Sequence, residues 1–419
     1  MAPRVAVLGG GFQGCCIALE LAHRGASVLL VDECDDLLTR TAVANEGKVH
    51  LGYMYAADPT LATARTMMAG ALAFAPFLHR HLGEAAALAT SQPAAYVVHR
   101  DSQHGVEEVD RYLRQVHAEL QEAAARQPGC YFGQDLAEPL RRLSAGELAE
   151  RFDPEHVLAA YATPEVAIDP LEVARLLRAR IAATPQIEVR TGHRVEGAER
   201  TEDETGGRLR ITGTVGGAEW AEWNESVDQV VNALWAGRMA FDQTLGVRVE
   251  RAWLHRLKYG VSLPWPQTLP PAPSATVISG PFGEVVSYPD ATTYLTWYPA
   301  CVRGYSDAVT PPSHWVSHPQ DPERSSMAAR TVAGLADLVP ALRGLTPAHL
   351  EPAVVKGGVI VAWGETDIDD PHSELHERFR IGVHSDRGHH SVDPGKLTMA
   401  PLFALECADR VLGAGPGGS

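Results

Sequence analysis

One stretch near the start of this 419-residue chain limits its fold more than any other: RVAVLGGGFQGCCIALELAHRGASVLLVDE, residues 4–33. RVAVLGG is apolar and β-branched without alternation, as a strand buried on both faces of a parallel sheet must be. The glycines then fall as Gly9-x-Gly11-x-x-Gly14 and open an amphipathic helix that closes at Gly25. Gly9 permits the turn, Gly11 lets the backbone approach a pyrophosphate, and Gly14 lets the helix pack close to the strand. The free N–H groups of the first helical turn, around Phe12 and Gln13, and the positive end of the helix dipole then face an anion. The second strand ends in Asp32, about 20 residues on, where a carboxylate accepts from ribose hydroxyls; Glu33 is the alternative by one register step. An acid there disfavours a 2′-phosphate. NAD and FAD remain as the dinucleotides this unit could hold.

The formal charge of −16 argues against a nucleic-acid or anionic-membrane partner. The sequence shows no secretory leader pattern and no run apolar enough to cross a bilayer. Six scattered cysteines without a CxxC predict neither a zinc site nor a disulfide framework, but buried thiols in a cytoplasmic protein. The 18 histidines show no ligand spacing, so no metal site is expected; the HRH run at 79–81 reads as a solvated helix face.

The passage after the second strand separates the two cofactors. LLTRTAVANEGKVHLGYMYAADPTLATARTMMAGALAF is polar, glycine-containing and weakly periodic before a long helix starting near Asp58. With the glycine turn, it resembles the D-amino acid oxidase superfamily of FAD enzymes, which includes glycine oxidase, sarcosine oxidase and 2-hydroxyglutarate dehydrogenase. In that family a T-S-x-x-N-x-G-x-I-H-x-G passage threads under the flavin. Its counterparts here are Arg40, Thr41, Asn45, Gly47, His50 and Gly52, with Glu46 and Lys48 more charged than in many members.

Further passages carry the resemblance. ATPEVAIDPLEVARLLRARI is similar to the family's return to the FAD domain, and Asp169-Pro170 is on physical grounds alone a good N-cap and first-turn pair. IEVRTGHRVEGAE reads as one strand, and the resemblance assigns the adenine end of FAD to the backbone near Val195. VDQVVNALWAGR resembles D-x-V-V-N-A-A-G-x-W, placing Asn232, Ala233, Leu234 and Trp235 beside the pyrophosphate, with Leu234 and Trp235 where small residues are usual. Near the C-terminus, Gly395, Lys396, Leu397 and Thr398 match the loop that closes the flavin site. Thr398 is a possible N-cap, and Lys396 with the helix end would stabilise reduced flavin near N1 and C2=O.

The expected fold is therefore α/β: a Rossmann-like FAD domain of the glutathione-reductase type, made of residues 1–75, 155–245 and 355–410. An α+β substrate domain on a mixed or antiparallel sheet comes from 76–154 and 246–354, and 411–419 is expected to be a disordered tail. Helical periodicity marks GVEEVDRYLRQVHAELQEAAAR and SAGELAERF; PDATT reads as a hairpin turn between strands, and LPWPQTLPPAPS as a surface excursion or interface arm.

In the family, substrate lies between the flavin and a sheet of the second lobe. The candidates for gripping or reacting with it are Arg256 and Lys258, which share a strand face, and then Tyr298 and Arg303, with His50 as substrate ligand or proton acceptor. Tyr259, Tyr294, Trp297 and Tyr305 are further possibilities; His389 and His390 are weaker ones. No residue marks covalent flavin attachment, Cys301 or a histidine being the ones to check. The resemblance implies removal of a hydride from a C–N bond of an amino acid or amine. A 2-hydroxy acid substrate on the same fold is the second reading, and a flavin-binding protein without turnover the third. The electron acceptor, dioxygen or another, and the oligomeric state stay open.

Overall fold

The computed structural model describes residues 3–201, 208–216 and 221–413. At its centre β1 (Arg4–Leu8) lies between β2 (Ser27–Val31) and β10 (Gln229–Asn232), parallel to both. β6 (Ile187–Arg190) flanks β2, while β18 (His389–Asp393) and then β17 (Gly382–Asp386) extend the other side into a six-stranded sheet. Alternate residues of β1 serve two cores. Val5 and Val7 pack toward α1 (Phe12–His23) and the C-terminal helix Ala400–Leu412, whereas Ala6 and Leu8 face a smaller cluster with Ala198, Leu209 and Ile211. Both faces are covered, so the strand has no polar alternation to show.

The segment IEVRTGHRVEGAE, expected as one strand, is two. The chain breaks at Gly192, whose φ of +67° lies in the left-handed region. β6 stays in the parallel sheet, and β7 (His193–Thr201) begins an antiparallel three-stranded sheet with β8 (Arg208–Val215) and β9 (Ala221–Val227).

The second large sheet is mixed. It contains β3 (Ala95–His99), β4 (Arg141–Arg142), β5 (Val157–Ala162), β11 (Trp253–Pro264), β12 (Ala275–Ile278), β13 (Gly283–Ser287), β14 (Thr292–Trp297), β15 (Val302–Ser306) and β16 (Val354–Trp363). Its order is β15-β11-β14-β13-β12-β3-β5-β4, with β16 antiparallel to β11 from Trp253↔Trp363 to Ser262↔Val354. β12 and β3 run parallel and are its core link between the two inserted segments. Strands β5 and β16, within the stretches 155–162 and 354–363, pair in this sheet. The PDATT turn is a hairpin, with Tyr288 N donating to Thr292 O at 2.9 Å.

Helix starts follow local chemistry. α2 (Ala62–Leu82) begins beyond Asp58, because the Asp58 carboxylate accepts from the Thr60 and Thr63 amides at 3.0 and 2.8 Å and thereby caps the first turn. α3 (Val106–Ala125) buries Val109, Leu113, Val116 and Leu120 on one stripe, and α4 (Ala145–Arg151) starts on a Ser144–Glu147 capping box. α5 (Pro170–Ala182) starts as expected, Asp169 accepting from Leu171 N at 2.9 Å. The HRH run is not a solvated face throughout: His81 is buried, with Nε2 2.8 Å from Glu20 Oε2. Leu412 ends the C-terminal helix, and 414–419, most of the expected disordered tail, lie outside the described residues.

The passage after β2 is pinned to the strand-like segment before α5. Val49 N donates to Val166 O at 3.1 Å and Ile168 N to Gly47 O at 3.0 Å. Gly47 has a φ of +66°, and a Cβ there would collide with the Ile168 carbonyl oxygen. Gly47→Ala is therefore expected to cost about 3 kcal/mol of stability. Thermal or denaturant unfolding checks this; a loss below about 1 kcal/mol would show that the pinning is not stringent.

Candidate active site

A cavity of about 990 Å³ runs from the β1–α1 turn to the face of the mixed sheet. Its first end is built from backbone. Gly11 precedes α1 without a side-chain cap, the first turn of α1 carries no acid, and the space a Cβ at Gly11 would take is open. The orphan N–H groups and the helix dipole are thus left for an anion. Gly9 (φ +101°) and Gly14 set the approach: a Cβ on Gly14 would collide with Gly9 O, so Gly14 packs and does not line the cavity. Asp32 reaches the cavity rim, accepting from Gly10 N at 2.6 Å and Cys34 N at 2.8 Å. Glu33 is turned to Arg40 at 2.5 Å and Arg194 at 3.7 Å. Val195 lines the same end beside a β7 bulge, and Ala233, Leu234 and Trp235 close it. Trp235 holds a φ of 53° and donates from Nε1 to Val359 O at 2.6 Å. An uncapped helix end, an open glycine cradle and a carboxylate at the end of β2 suit a dinucleotide, and the cavity continues from them to the mixed sheet.

Residues 4–410 match the family model described as DAO, FAD dependent oxidoreductase.

The chain belongs to the DAO family of FAD-dependent oxidoreductases.

Solved structures agree on the fold. L-α-glycerophosphate oxidase from Mycoplasma pneumoniae is 17% identical with a TM-score of 0.66, covering 98% of this chain and 95% of that one. Glycine oxidase from Geobacillus kaustophilus gives 17% and 0.65 over 98% and 95%. NikD, an amino acid oxidase of nikkomycin biosynthesis, gives 14% and 0.67 over 100% and 96%. No curated protein matches the sequence. The cofactor of the family is FAD, and the residues present fit it.

In this DAO-family chain the second end of the cavity is charged. His50, Arg256, Lys258 and Tyr298 all line it, as do Gly395, Lys396 and Leu397. His50 is buried, and its ring is fixed from both sides: Nδ1 lies 3.3 Å from Glu165 Oε1 and Nε2 lies 3.2 Å from Lys396 Nζ. Glu165 is fully buried and also accepts from Leu51 N at 2.7 Å and from the Tyr96 hydroxyl. Burial alone would raise the Glu165 carboxyl, but His50, Lys48 and Tyr96 outweigh it and hold it below its usual range. A charged Glu165 makes Nδ1 the protonated nitrogen of a neutral His50 and leaves Nε2 to accept from Lys396. Burial and the Lys396 charge push the imidazole down, consistent with the neutral ring.

Lys396 itself is pushed down to about 7 by burial together with Arg378 and Lys258, only partly offset by Glu46 and Glu284. Glu46, despite burial, is held at about 2 by Lys258, Lys396 and His50. Lys258 stands 4.8 Å from the Tyr298 ring centre and 4.0 Å from Glu284 Oε1; these partners and Glu46 raise it against the effect of burial.

Several expected site residues lie elsewhere. Arg303 projects to solvent from β15 and pairs with Glu323 at 3.3 Å, because strand alternation aims it away from the cavity. Tyr305 is exposed, Tyr294 is buried against Ala167 and Val286, and Tyr259 bonds Ser317 O on the reverse face of β11. Trp297 packs on Gly334. His389 lies 3.1 Å from Asp242 and His390 2.9 Å from Gln229, both within the six-stranded sheet. Cys301 faces Thr331 Oγ1 at 3.3 Å, away from the cavity. Thr398 is neither N-cap nor cavity wall: its Oγ1 accepts from His50 N at 3.0 Å and donates to Lys48 O, tying the threading passage down. Asn232 is also out of the cavity, buried against Asp242 and Arg238 O. Gly47 is a turn residue, and Lys48 lines the cavity but spends its charge on Glu284 at 2.7 Å. Arg40, Thr41 and Asn45 do line it.

Sequence reading passes over the roles of Glu46, Tyr55, Glu165 and Arg378. The first three sit inside passages that carry the family resemblance, and an acid one step from a flavin-threading glycine is the available signal for Glu46. Arg378 lies in a loop with no motif. Asp32→Ala is expected to weaken FAD binding about 10- to 100-fold and Glu33→Ala by less than about threefold, measured by flavin titration of apoprotein. Equal effects would move the ribose contact off Asp32.

Proposed function

We propose that this DAO-family enzyme oxidises the C–N bond of an amino acid or amine. The observation that carries the reading is the juxtaposition of Glu46, Lys258 and Lys396 where the dinucleotide cavity meets the mixed sheet. Bound FAD supplies the acceptor for a hydride from the carbon bearing nitrogen. The chain's own groups prepare that carbon. Glu46, ionised at every working pH, attracts the substrate ammonium; Lys258, firmly charged, fixes the α-carboxylate. The ammonium must lose a proton before its lone pair can form the imine, and Lys396 is the matched acceptor: its free amine is present near neutrality and is oriented by His50. Glycine oxidase and NikD among the structural neighbours support an amino substrate; glycerophosphate oxidase, named for a substrate bearing an alcohol, is the reason to include hydroxy acids in the test. Six unpaired cysteines, five of them buried, support a reducing compartment such as the cytoplasm.

Anaerobic mixing of the yellow enzyme with amines, amino acids and 2-hydroxy acids tests the reading. Bleaching by amino compounds supports it, and bleaching by hydroxy acids alone overturns it. The base assignment has its own signature. Lys396 is faced by Glu46 and His50 from the threading passage, Lys258 from β11, Glu284 from β13 and Arg378 from the loop after β16. Below about pH 7 it holds its proton and cannot accept another, so kcat/KM should rise with pH through about 7. Lys396→Met should remove that limb and lower kcat/KM about 100-fold. An unshifted limb in the variant would place the base elsewhere.

A further inference from the structure

The far end of the cavity has more hydrogen-bond donors than acceptors. The carboxylates in and around it already face other cations or donors. Asp367 takes Arg256 Nη1 at 2.5 Å, Glu284 takes Lys48 at 2.7 Å, Glu165 is held by Leu51 N, Tyr96 and His50, and Glu46 sits among Lys258, Lys396 and His50. Arg378 is left over. Its Nε donates to Leu375 O at 3.2 Å, and among the described residues no carboxylate lies at ion-pairing distance from its guanidinium. Around it, the Tyr55 hydroxyl is buried with no partner, Arg256 is 2% exposed with Nε unpartnered, and Tyr298 completes the wall. Arg378 is half-buried and feels the charge of Arg256, so a guanidinium without a carboxylate of its own favours an anionic ligand there. Two guanidinium groups flanked by two hydroxyls specify a ligand group rich in acceptor oxygens.

We propose that Tyr55, Arg256, Tyr298 and Arg378 form a subsite for a second anionic group of the substrate, a carboxylate or a phosphate remote from the amine. The proposal rests on the C–N reading above, in which Glu46 and Lys258 take the amino acid head; it makes the substrate an amino compound bearing two acidic groups. Phe282, Ile360 and Ile368 line the same cavity and suit a short methylene spacer between them. Arg378 can take either oxyacid through two parallel N–H···O bonds, and the two tyrosines add one donor each.

The test compares anaerobic flavin reduction of the holoenzyme by aspartate, glutamate and O-phosphoserine with reduction by alanine and norvaline. The acidic substrates should react at least about 100-fold more efficiently in rate over Kd, and the better of the carboxylate and phosphate arms names the oxyacid. Arg378→Met should reduce this acid-to-neutral ratio about 100-fold, and Arg378→Lys should restore part of it. Flavin content and the melting temperature of both variants establish that they fold. Titrations of the holoenzyme with glutarate and with inorganic phosphate, followed by the flavin spectrum, read the subsite without turnover and should weaken in Arg378→Met. A wild-type preference for neutral amino acids, or a ratio unchanged in Arg378→Met, overturns the proposal. Reduction by 2-hydroxy diacids with no amine active would sink the C–N reading while leaving the anion subsite standing.

Discussion

One buried carboxylate organises the reacting end of this protein. Glu165, without solvent contact, gathers the Leu51 amide, the Tyr96 hydroxyl and the His50 ring. A charge so placed is tolerable only because its oxygens are fully bonded and Lys48 stands near. In return it sets three things at once: the path of the threading passage, the tautomer of His50, and the nitrogen that meets Lys396. Take the carboxylate away and an aromatic ring, an amide and a lysine each lose their reference point.

The rest of the charged end is a sequence of pairings that ends in a mismatch. Lys48 is neutralised across the lobes by Glu284 and Arg256 by Asp367, while Glu46 feels the charges of Lys258 and Lys396. Because these groups are buried close together, each pKa is set by burial and by the others: Glu46 falls, Lys258 rises, Lys396 drops to about 7. The same crowding that makes one lysine a proton acceptor leaves one arginine without a counterion.

The parallel sheet and the nucleotide half of the cavity are legible in the sequence because their function is written in backbone requirements. Gly9, Gly11 and Gly14 stand where side chains cannot, and the apolar run of β1 reports burial on two faces. Burial of the hairpin and of α3 is likewise readable from periodicity. What the chain order hides is face and register. Arg303 and Arg256 look alike in sequence, yet one β15 alternation sends Arg303 to solvent. Thr398 reads as a cap until the fold brings His50 N to its hydroxyl across 348 positions. Arg378 carries no motif at all; only the missing carboxylate, a property of three-dimensional pairing, marks it. Gly192 breaks an apparently continuous strand because a single left-handed residue turns β7 out of the parallel sheet and into another.

Trp235 occupies a backbone conformation that glycine adopts freely and other residues adopt at a cost of about 1–3 kcal/mol. Its indole meanwhile reaches out of the parallel-sheet lobe to grasp the Val359 carbonyl on β16. Local strain and long-range attachment are therefore invested in the same side chain. A substitution that relaxed this peptide by removing the indole would also give up the attachment to β16.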